Sequence, residues 1–251
     1  MKRNKILSIN ISTGKYKTFV DNIIDLSLKK RSSYVCVANV HMVIESCNNS
    51  DFADIVNGAD IITPDGMPLV KMLKYLYGIE QDRVAGMDLF PDLLSEAEDQ
   101  KISTFFYGST KEVLDNVREK IKQKFPDLMV AGYYDPPFRS LSDEEENEIV
   151  KKINNSGASL IFVALGCPKQ EIWMNRMKGR IEGVMVGVGG AFPVFAGITK
   201  RAPVWMQKAS LEWLYRLIRE PGRLWKRYFV TNSKFLYLSL LELVRMKVLK
   251  K

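Results

Sequence analysis

The stretch SLIFVALGCPKQEIWM, residues 159–174, changes from one structural pattern to another halfway along its length. Residues 159–166 are apolar without polar alternation, which is typical of a strand buried on both faces. The following residues indicate the start of a helix, since Pro168 lies near the first helical position, where its missing N–H is not needed. The stretch therefore predicts a buried β-strand that leads directly into an α-helix.

The same alternation recurs through much of the chain. Two helical patterns are clear: residues 109–125 begin with a Ser/Thr cap and place Val113, Val117 and Ile121 on one face, and residues 142–157 concentrate acids in the first turns. Alternation of strands and helices predicts an α/β fold with a mostly parallel sheet and helices on both faces. The other apolar runs that end in small or turn-forming residues are 34–39, 59–63, 102–108, 128–134 and 183–190.

Composition favours a soluble globular protein of one large domain, or one domain with an appendage. The chain has 251 residues, of which 46% are hydrophobic and 26% charged. The N-terminus has no apolar run typical of a signal peptide, and no stretch reaches the roughly 18 apolar residues of a membrane span. Three cysteines without metal-site spacing favour a reduced, cytosolic protein.

Charge is distributed unevenly along the chain. Residues 198–251 contain 13 Lys/Arg and 3 Asp/Glu, whereas residues 1–197 contain 24 and 26. This asymmetry predicts an anionic partner at one end, which could be a membrane surface, a nucleic acid or a phosphorylated ligand. The alternative is a solvated basic face that only aids solubility.

The basic region beyond Gly197 is predicted to be helical. Two or more helices are separated at residues 220–222, and an apolar stripe runs through Leu211, Leu214 and Ile218. Basic residues and aromatics follow the break at high density, as in helices that lie in a membrane interface, but a helical hairpin packed on the core would give the same pattern. We therefore divide the chain into an α/β domain, residues 1–197, and a basic helical appendage, residues 198–251.

Polar, small and charged residues stand where the predicted strands end. Ligands of open parallel sheets bind beyond the carboxyl ends of the strands, so these residues are candidates for a site. In the helix that begins after residue 166, free backbone N–H groups could bind an anion, and Lys169 and Gln170 could add side-chain donors. The candidate residues are Asn39, His41, 64–66, 108–110, 166–170 and 189–190.

Asp65 is the strongest candidate for catalysis among them. Pro64 favours an extended conformation before it, and Gly66 permits a tight turn after it, so the carboxylate would stand at the tip of a strand. There it could act as a general base towards a hydroxyl group. The alternative is that Asp65 is only the N-cap of the next helix.

Other kinds of chemistry find little support. His41 is the single histidine, and the chain has no HExxH, paired CxxC, Walker A loop or Asp-x-Asp motif, so we expect neither a metal nor a cofactor. GVGGAF, residues 187–192, matches a dinucleotide fingerprint only in its first two glycines, which weakens an oxidoreductase interpretation. If the protein catalyses a reaction in which a diphosphate leaves, the positive charges of Arg83 and of arginines in the appendage could stabilise the negative charge of that diphosphate.

Five segments together resemble the WecG/TagA/CpsF family of bacterial glycosyltransferases. They cover nearly the whole chain in family order: PDG (64–66), RVAGMDLF (83–90), GCPKQEIW (166–173), GVGGAF (187–192) and RAPVWMQKASLEWLYRLIREPGRLWKRY (201–228).

The resemblance implies a Rossmann-like fold and an inverting, metal-independent transfer of a sugar. The donor would be a UDP-sugar and the acceptor a sugar linked to undecaprenyl diphosphate, at the cytoplasmic face of the membrane. The best-studied members transfer N-acetylmannosamine or its uronic acid in teichoic acid or surface polysaccharide synthesis, and others act in capsule or exopolysaccharide synthesis. The appendage would dock on the anionic membrane surface, a homo-oligomer is a further expectation, and no nucleic acid is expected.

The resemblance also assigns residues to roles. Asp65 matches the family's proposed base, and Asn39, Arg83 and Gln170 match its polar site residues. The segment that supplies arginines to the donor diphosphate contains Arg216, Arg223 and Arg227.

The sequence is also compatible with other donor sugars and with another class of protein. Teichoic-acid members have Thr-x-Asn where this chain has Val37-Ala38-Asn39, which leaves UDP-N-acetylmannosaminuronate or UDP-glucose as alternative donors. A nucleic-acid-binding module that uses the basic tail is an alternative of another class.

Overall fold

Within residues 1–208 and 210–249, which the computed structural model describes, the backbone forms eight strands and twelve helices. Side chains in this part are described except for residues 208, 223, 227 and 247–249. The strands are β1 (Lys2–Ile6), β2 (Ile9–Thr13), β3 (Ser33–Ala38), β4 (Ile61–Pro64), β5 (Thr104–Gly108), β6 (Val130–Tyr134), β7 (Leu160–Ala164) and β8 (Val184–Gly187). The helices are α1 (Tyr16–Leu28), α2 (Val40–Asn48), α3 (Ser50–Asn57), α4 (Met67–Tyr77), α5 (Gly86–Asp99), α6 (Lys111–Lys124), α7 (Asp143–Asn155), α8 (Lys169–Met177), α9 (Ala191–Phe195), α10 (Val204–Lys208), α11 (Glu212–Arg219) and α12 (Pro221–Leu249).

Six strands form one parallel sheet in the order β4-β3-β8-β7-β5-β6. Each of the six predicted apolar runs overlaps one of these strands, and four of them contain the strand completely. Most of their residues are buried, as expected for strands covered on both faces. The predicted Rossmann-like α/β fold with a mostly parallel sheet is confirmed.

Helices cover both faces of this sheet. Alternate strand residues point to opposite faces: Val35 and Phe162 pack with α1, α5, α6 and α9, whereas Tyr34 and Tyr107 pack with α2, α3, α4, α7 and α8. On the first face Phe90 meets the ring of Phe162 edge to face, with 4.8 Å between the ring centroids. Two apolar layers of this kind fix the sheet between them and leave its carboxyl edge for a site.

The predicted helix boundaries are close to the observed ones. Thr110 caps α6 by accepting a hydrogen bond from the backbone N–H of Val113 at 3.3 Å, and Ser142 forms a capping box with Glu145 at the start of α7. One detail differs, since Leu114 is buried with Val117 and Ile121 in α6 while Val113 is only partly buried.

The hairpin of β1 and β2 was not predicted. Its apolar residues Ile6, Ile9 and Ile11 are fully buried against the core, while most of the side chains of β1 are polar and exposed. The hydroxyl of Ser12 accepts a hydrogen bond from the backbone N–H of Ile62 at 3.0 Å. The hairpin thus covers β4, an edge strand of the sheet.

The C-terminal helices break at Glu220, as predicted, and α12 then continues for 29 residues. Leu224 and Phe235 of α12 are buried, and the helix packs on α2 and α4. Across the described residues, none of the helices combines the length and apolar character needed to span a membrane.

Candidate functional site

A cavity of about 880 Å³ lies at the carboxyl edge of the sheet, beneath the C-terminal helices. It is centred where β3 and β8 lie side by side and the helices that follow them, α2 and α9, turn to opposite faces. Such a switch in direction opens a crevice in doubly wound sheets. The cavity is lined by five of the predicted site residues, namely Asn39, Asp65, Arg83, Gln170 and Arg216.

The other two predicted site residues, Arg223 and Arg227, are described only by their backbone. Arg223 and Arg227 lie in the first turns of α12, and their side chains are outside the described residues.

Asp65 stands directly beyond the end of β4. Its backbone N–H donates to the carbonyl of Ala38 at 2.9 Å, and the carbonyl of Pro64 accepts from the N–H of Val84 at 2.9 Å, so both sides of the turn are fixed. Gly66 occupies the N-cap position of α4. Asp65 is therefore not the N-cap of this helix, and the alternative interpretation of it as a cap is wrong.

The surroundings of Asp65 raise its pKa from an ordinary 3.8 to about 6. Burial is the largest cause, since it penalises the charged carboxylate, and the negative charges of Glu212 and Asp88 add to it. The positive charges of Arg83 and Arg216 act in the opposite direction. The carboxylate is therefore ionised at neutral pH yet much more basic than an exposed one, which suits a group that accepts a proton.

Arg83 belongs to a closed ring of four ion-paired side chains at the cavity. Its two terminal nitrogens lie 3.1 Å from Glu212 Oε2 and 3.3 Å from Asp88 Oδ2. Arg201 completes the ring, with Nη1 2.7 Å from Asp88 Oδ1 and Nε 3.3 Å from Glu212 Oε1. Each carboxylate thus bridges two guanidinium groups, and the ring ties α5 to α11.

Sequence reasoning missed three members of this ring, which are Asp88, Arg201 and Glu212. All three lie in segments that carry the family resemblance, but nothing local to those segments shows that the charges pair. Arg83 and Glu212 are 129 positions apart. Only the fold brings them together.

Asn39 has a structural contact as well as a place in the cavity wall. Its Oδ1 accepts a hydrogen bond from the backbone N–H of Met42 at 3.2 Å, which makes it the N-cap of α2. His41 also lines the cavity, with Nδ1 3.7 Å from Glu45 Oε1.

Gln170 lies at the cavity wall with its donor atom already engaged. Nε2 donates to Glu171 Oε1 at 2.7 Å and to the carbonyl of Gly187 at 3.3 Å. The expectation that Gln170 offers a donor to an anion finds no support in this geometry, because neighbouring acceptors use that donor. Lys169, expected to act with it, is exposed and is not part of the cavity wall.

The glycines of residues 187–190 make room for side chains of the site. A Cβ atom on Gly187 would lie 3.0 Å from Gln170 Nε2, and one on Gly189 would lie 3.2 Å from Gln170 Oε1. A Cβ on Gly190 would lie 3.6 Å from Arg216 Nη2. The two close approaches to Gln170 give the glycine-rich segment a physical role that needs no dinucleotide, whereas the Gly190 distance is an ordinary van der Waals contact.

The described residues were expected from the sequence to hold no metal site. Among those residues no group of three His, Cys, Asp or Glu side chains is placed to hold a metal ion.

Comparison with known proteins agrees with the family resemblance of the motifs. Residues 4–248 match the model of the glycosyl transferase WecG/TagA/CpsF family. The chain is 34% identical over 229 residues to a Bacillus spizizenii protein named N-acetylglucosaminyldiphosphoundecaprenol N-acetyl-beta-D-mannosaminyltransferase, covering 90% of this chain and 87% of that one. A Bacillus subtilis (strain 168) protein of the same name is 34% identical over 200 residues, covering 79% of this chain and 76% of the relative. On this evidence, the chain belongs to the WecG/TagA/CpsF family and is a glycosyltransferase.

Proposed function

We propose that this protein transfers N-acetylmannosamine from a UDP-activated donor to N-acetylglucosamine carried on undecaprenyl diphosphate, with Asp65 as the general base. The names of the two relatives support this acceptor and this transferred sugar. The observation that carries the proposed mechanism is the carboxylate of Asp65, which lines the cavity at a strand tip with its pKa raised to about 6.

The proposed reaction is a single displacement. Asp65 takes the proton of the acceptor hydroxyl while the hydroxyl oxygen forms a bond to the anomeric carbon of the donor sugar. The bond from that carbon to the diphosphate oxygen breaks on the opposite face, so the anomeric configuration inverts and UDP leaves with the bonding electron pair. A rigid turn around Asp65 would hold the base in line for this transfer.

Positive charge in the cavity would stabilise the leaving diphosphate. Arg83 and Arg216 both line the cavity, and both lower the pKa of Asp65. Their positive charges therefore act electrostatically on the proposed reaction centre. We propose that Arg223 and Arg227, early in α12, add to this set. The transfer would then need no metal ion and no cofactor.

The C-terminal helices are proposed to bring the enzyme to its lipid-linked acceptor. Twelve of the nineteen exposed large hydrophobic side chains among the described residues lie between positions 204 and 244, including Trp205, Trp225 and Phe229. Residues 198–251 also contain 13 Lys/Arg against 3 Asp/Glu. Exposed aromatics with excess positive charge favour peripheral binding to an anionic bilayer, at about 1 kcal/mol per Lys or Arg near the surface.

We therefore propose a division of labour along the chain. Residues 1–197 would form the catalytic domain, and residues 198–251 would form a docking appendage at the cytoplasmic face of the membrane. We also propose that copies of the chain can associate into a homo-oligomer.

The donor sugar is the least constrained part of the proposal. Val37 lines the cavity, and it gives an apolar surface where teichoic-acid members of the family have a threonine. A site without that hydroxyl could prefer UDP-N-acetylmannosaminuronate or UDP-glucose, and these donors are the alternatives to test.

The decisive experiment measures UDP release from a panel of UDP-sugars, with and without a soluble lipid-diphosphate N-acetylglucosamine acceptor. Acceptor-dependent release from UDP-N-acetylmannosamine that persists in EDTA, and is lost in Asp65→Asn, is the expected result. Asp60→Asn is the matched control, because Asp60 immediately precedes β4 at the opposite end of the strand and pairs with Lys178. UDP release from another UDP-sugar would identify that sugar as the donor. Activity in Asp65→Asn equal to that of the wild type would exclude Asp65 as the base.

A further inference from the structure

The buried carboxylate of Glu171 has no evident structural reason to be where it is. Its side chain is fully buried, and none of the ion pairs of the described residues includes it. Burial raises its pKa to about 7, against hydrogen bonds from Gln170, from its own backbone and from the thiol of Cys167. A buried carboxylate without an ion-pair partner is costly, and this one is hydrogen-bonded to Gln170, a residue of the cavity wall, which points to a functional reason for its presence.

The contacts of Glu171 point to that reason. Glu171 Oε1 accepts from Gln170 Nε2 at 2.7 Å, and the Gly187 carbonyl accepts from the same nitrogen at 3.3 Å. A side-chain amide has only two N–H groups, and two acceptors lie within hydrogen-bond distance of this nitrogen. A flip of the Gln170 amide would place its oxygen next to the carboxylate of Glu171 and the carbonyl of Gly187, where the oxygens would repel each other.

The opposite end of the amide is left for a ligand. Gln170 Oε1 is buried, accepts no hydrogen bond from the described residues, and lies on the side of Gly189, which also lines the cavity. Gln170 itself is 5% exposed, so this acceptor has little access to bulk water. A buried acceptor left unsatisfied costs free energy until a donor reaches it.

We propose that Glu171 is a positioning residue that, with the Gly187 carbonyl, fixes the amide of Gln170 so that Oε1 receives a neutral hydrogen-bond donor of the substrate, a hydroxyl or a ring N–H. Gln170 would then select for a donor group and not for a phosphate. The inference rests on the proposed function in that it takes the ligand of this cavity to be a UDP-sugar or its acceptor.

A double-mutant cycle tests whether Glu171 acts through Gln170. Glu171→Met removes the carboxylate, and above pH 8, where Glu171 is ionised, we expect it to lower kcat/KM for the UDP-sugar by roughly 10-fold to 100-fold, as for loss of a charge-assisted hydrogen bond. Glu171→Gln should cost less, because its carbonyl oxygen can still accept from Gln170. In a Gln170→Ala background both substitutions at position 171 should have almost no further effect. If the losses multiply instead, Glu171 does not act through Gln170 and the proposal is overturned.

A second measurement does not depend on activity. In ¹⁵N-labelled protein the side-chain NH₂ signal of Gln170, assigned by its loss in Gln170→Ala, should exchange slowly with water, and Glu171→Met should speed this exchange at least about 10-fold. Glu146→Gln is the matched control, since Glu146 is a buried glutamate of α7 held by Arg176 at 2.7 Å. Fast exchange in the wild type, or no change in Glu171→Met, would overturn the proposal. Slow exchange together with no transfer from any UDP-sugar would place the failure in the proposed function instead.

Discussion

At the scale of single residues, the site holds charged groups in surroundings that make charge costly. Asp65 has a pKa near 6 because burial outweighs its two nearby arginines. The folded protein therefore binds a proton at Asp65 more tightly than the unfolded chain does. Stability from this group is present below pH 4 and is lost as the pH rises through about 6.

Asp65→Asn should therefore stabilise the protein at neutral pH while abolishing transfer. A shift from 3.8 to about 6 corresponds to at most about 3 kcal/mol in the free energy of unfolding. Urea unfolding of both proteins at pH 4 and pH 7.5 measures this, with the gain expected only at the higher pH. An equal difference at the two pH values would contradict the raised pKa.

Gly187→Ala tests how closely the side chains of the site pack against the glycine-rich segment. The new Cβ would lie 2.7 Å from Met174 Cε and 3.0 Å from Gln170 Nε2, so the end of the Met174 side chain must shift and the tightly held Gln170 amide must be displaced slightly. We expect KM for the UDP-sugar to rise about 10-fold or more, with a loss of stability of about 1–3 kcal/mol from overpacking. Gly222→Ala is the control, because no atom lies within 4 Å of its Cβ position. An unchanged KM in Gly187→Ala would contradict the close fit.

At the scale of elements, the ion-pair ring connects α11 to the body of the protein. Glu212 and Arg83 are only 14% and 19% exposed, so their pairing is less screened than that of surface charges. The ring holds Arg83 beside the proposed reaction centre and neutralises part of its charge.

Removing the charge of Glu212 should lower the pKa of Asp65, because Glu212 is the larger of the two negative charges that raise it. In Glu212→Gln the acidic limb of the kcat/KM profile, which reports the free enzyme, should move below pH 6. Glu182→Gln, at an exposed position outside the cavity wall, is the control. A limb that stays in place, or moves upward, would contradict this electrostatic link.

Prediction from the sequence succeeded at this scale where the signal was local. Apolar runs located the strands of the central sheet, and the Ser/Thr cap of residues 109–110 and the acids of residues 143–146 located two of its helices, because each signal depends on neighbours in sequence. The hairpin of β1 and β2 was missed since the segment KRNKI is mostly polar and exposed, and its apolar register becomes visible only against β4. The ring around Arg83 was missed for the same reason, since its partners are distant in sequence. The orientation of the Gln170 amide likewise depends on the carbonyl of Gly187.

At the scale of the whole molecule, one surface is unlike the rest. Exposed aromatic and aliphatic side chains concentrate on α10 to α12, and the opposite face of α12 is buried through Leu224 and Phe235. Patches of this kind mark surfaces that bind proteins or membranes. The same helices therefore have one side for the core and another for a partner.

Trp225→Ser with Phe229→Ser should weaken binding to vesicles that contain anionic lipid. These side chains are 58% and 70% exposed, and they supply apolar area without lining the cavity. Cosedimentation should show at least about 10-fold weaker binding, with turnover of a soluble acceptor unchanged. Phe138→Ser is the control, because Phe138 is 85% exposed in the loop between β6 and α7. Equal loss of binding in the control would contradict a specific surface.

The two sides of the cavity come from parts of the chain that are synthesised at different times. Asn39, Asp65 and Gln170 belong to segments that leave the ribosome first, whereas Arg201, Glu212 and Arg216 follow. A nascent chain can thus form its sheet and its proposed base while the cavity is still open to water above them. The ring of Arg83, Asp88, Arg201 and Glu212 can close over this cavity only after Glu212, in the last fifth of the chain, has been made.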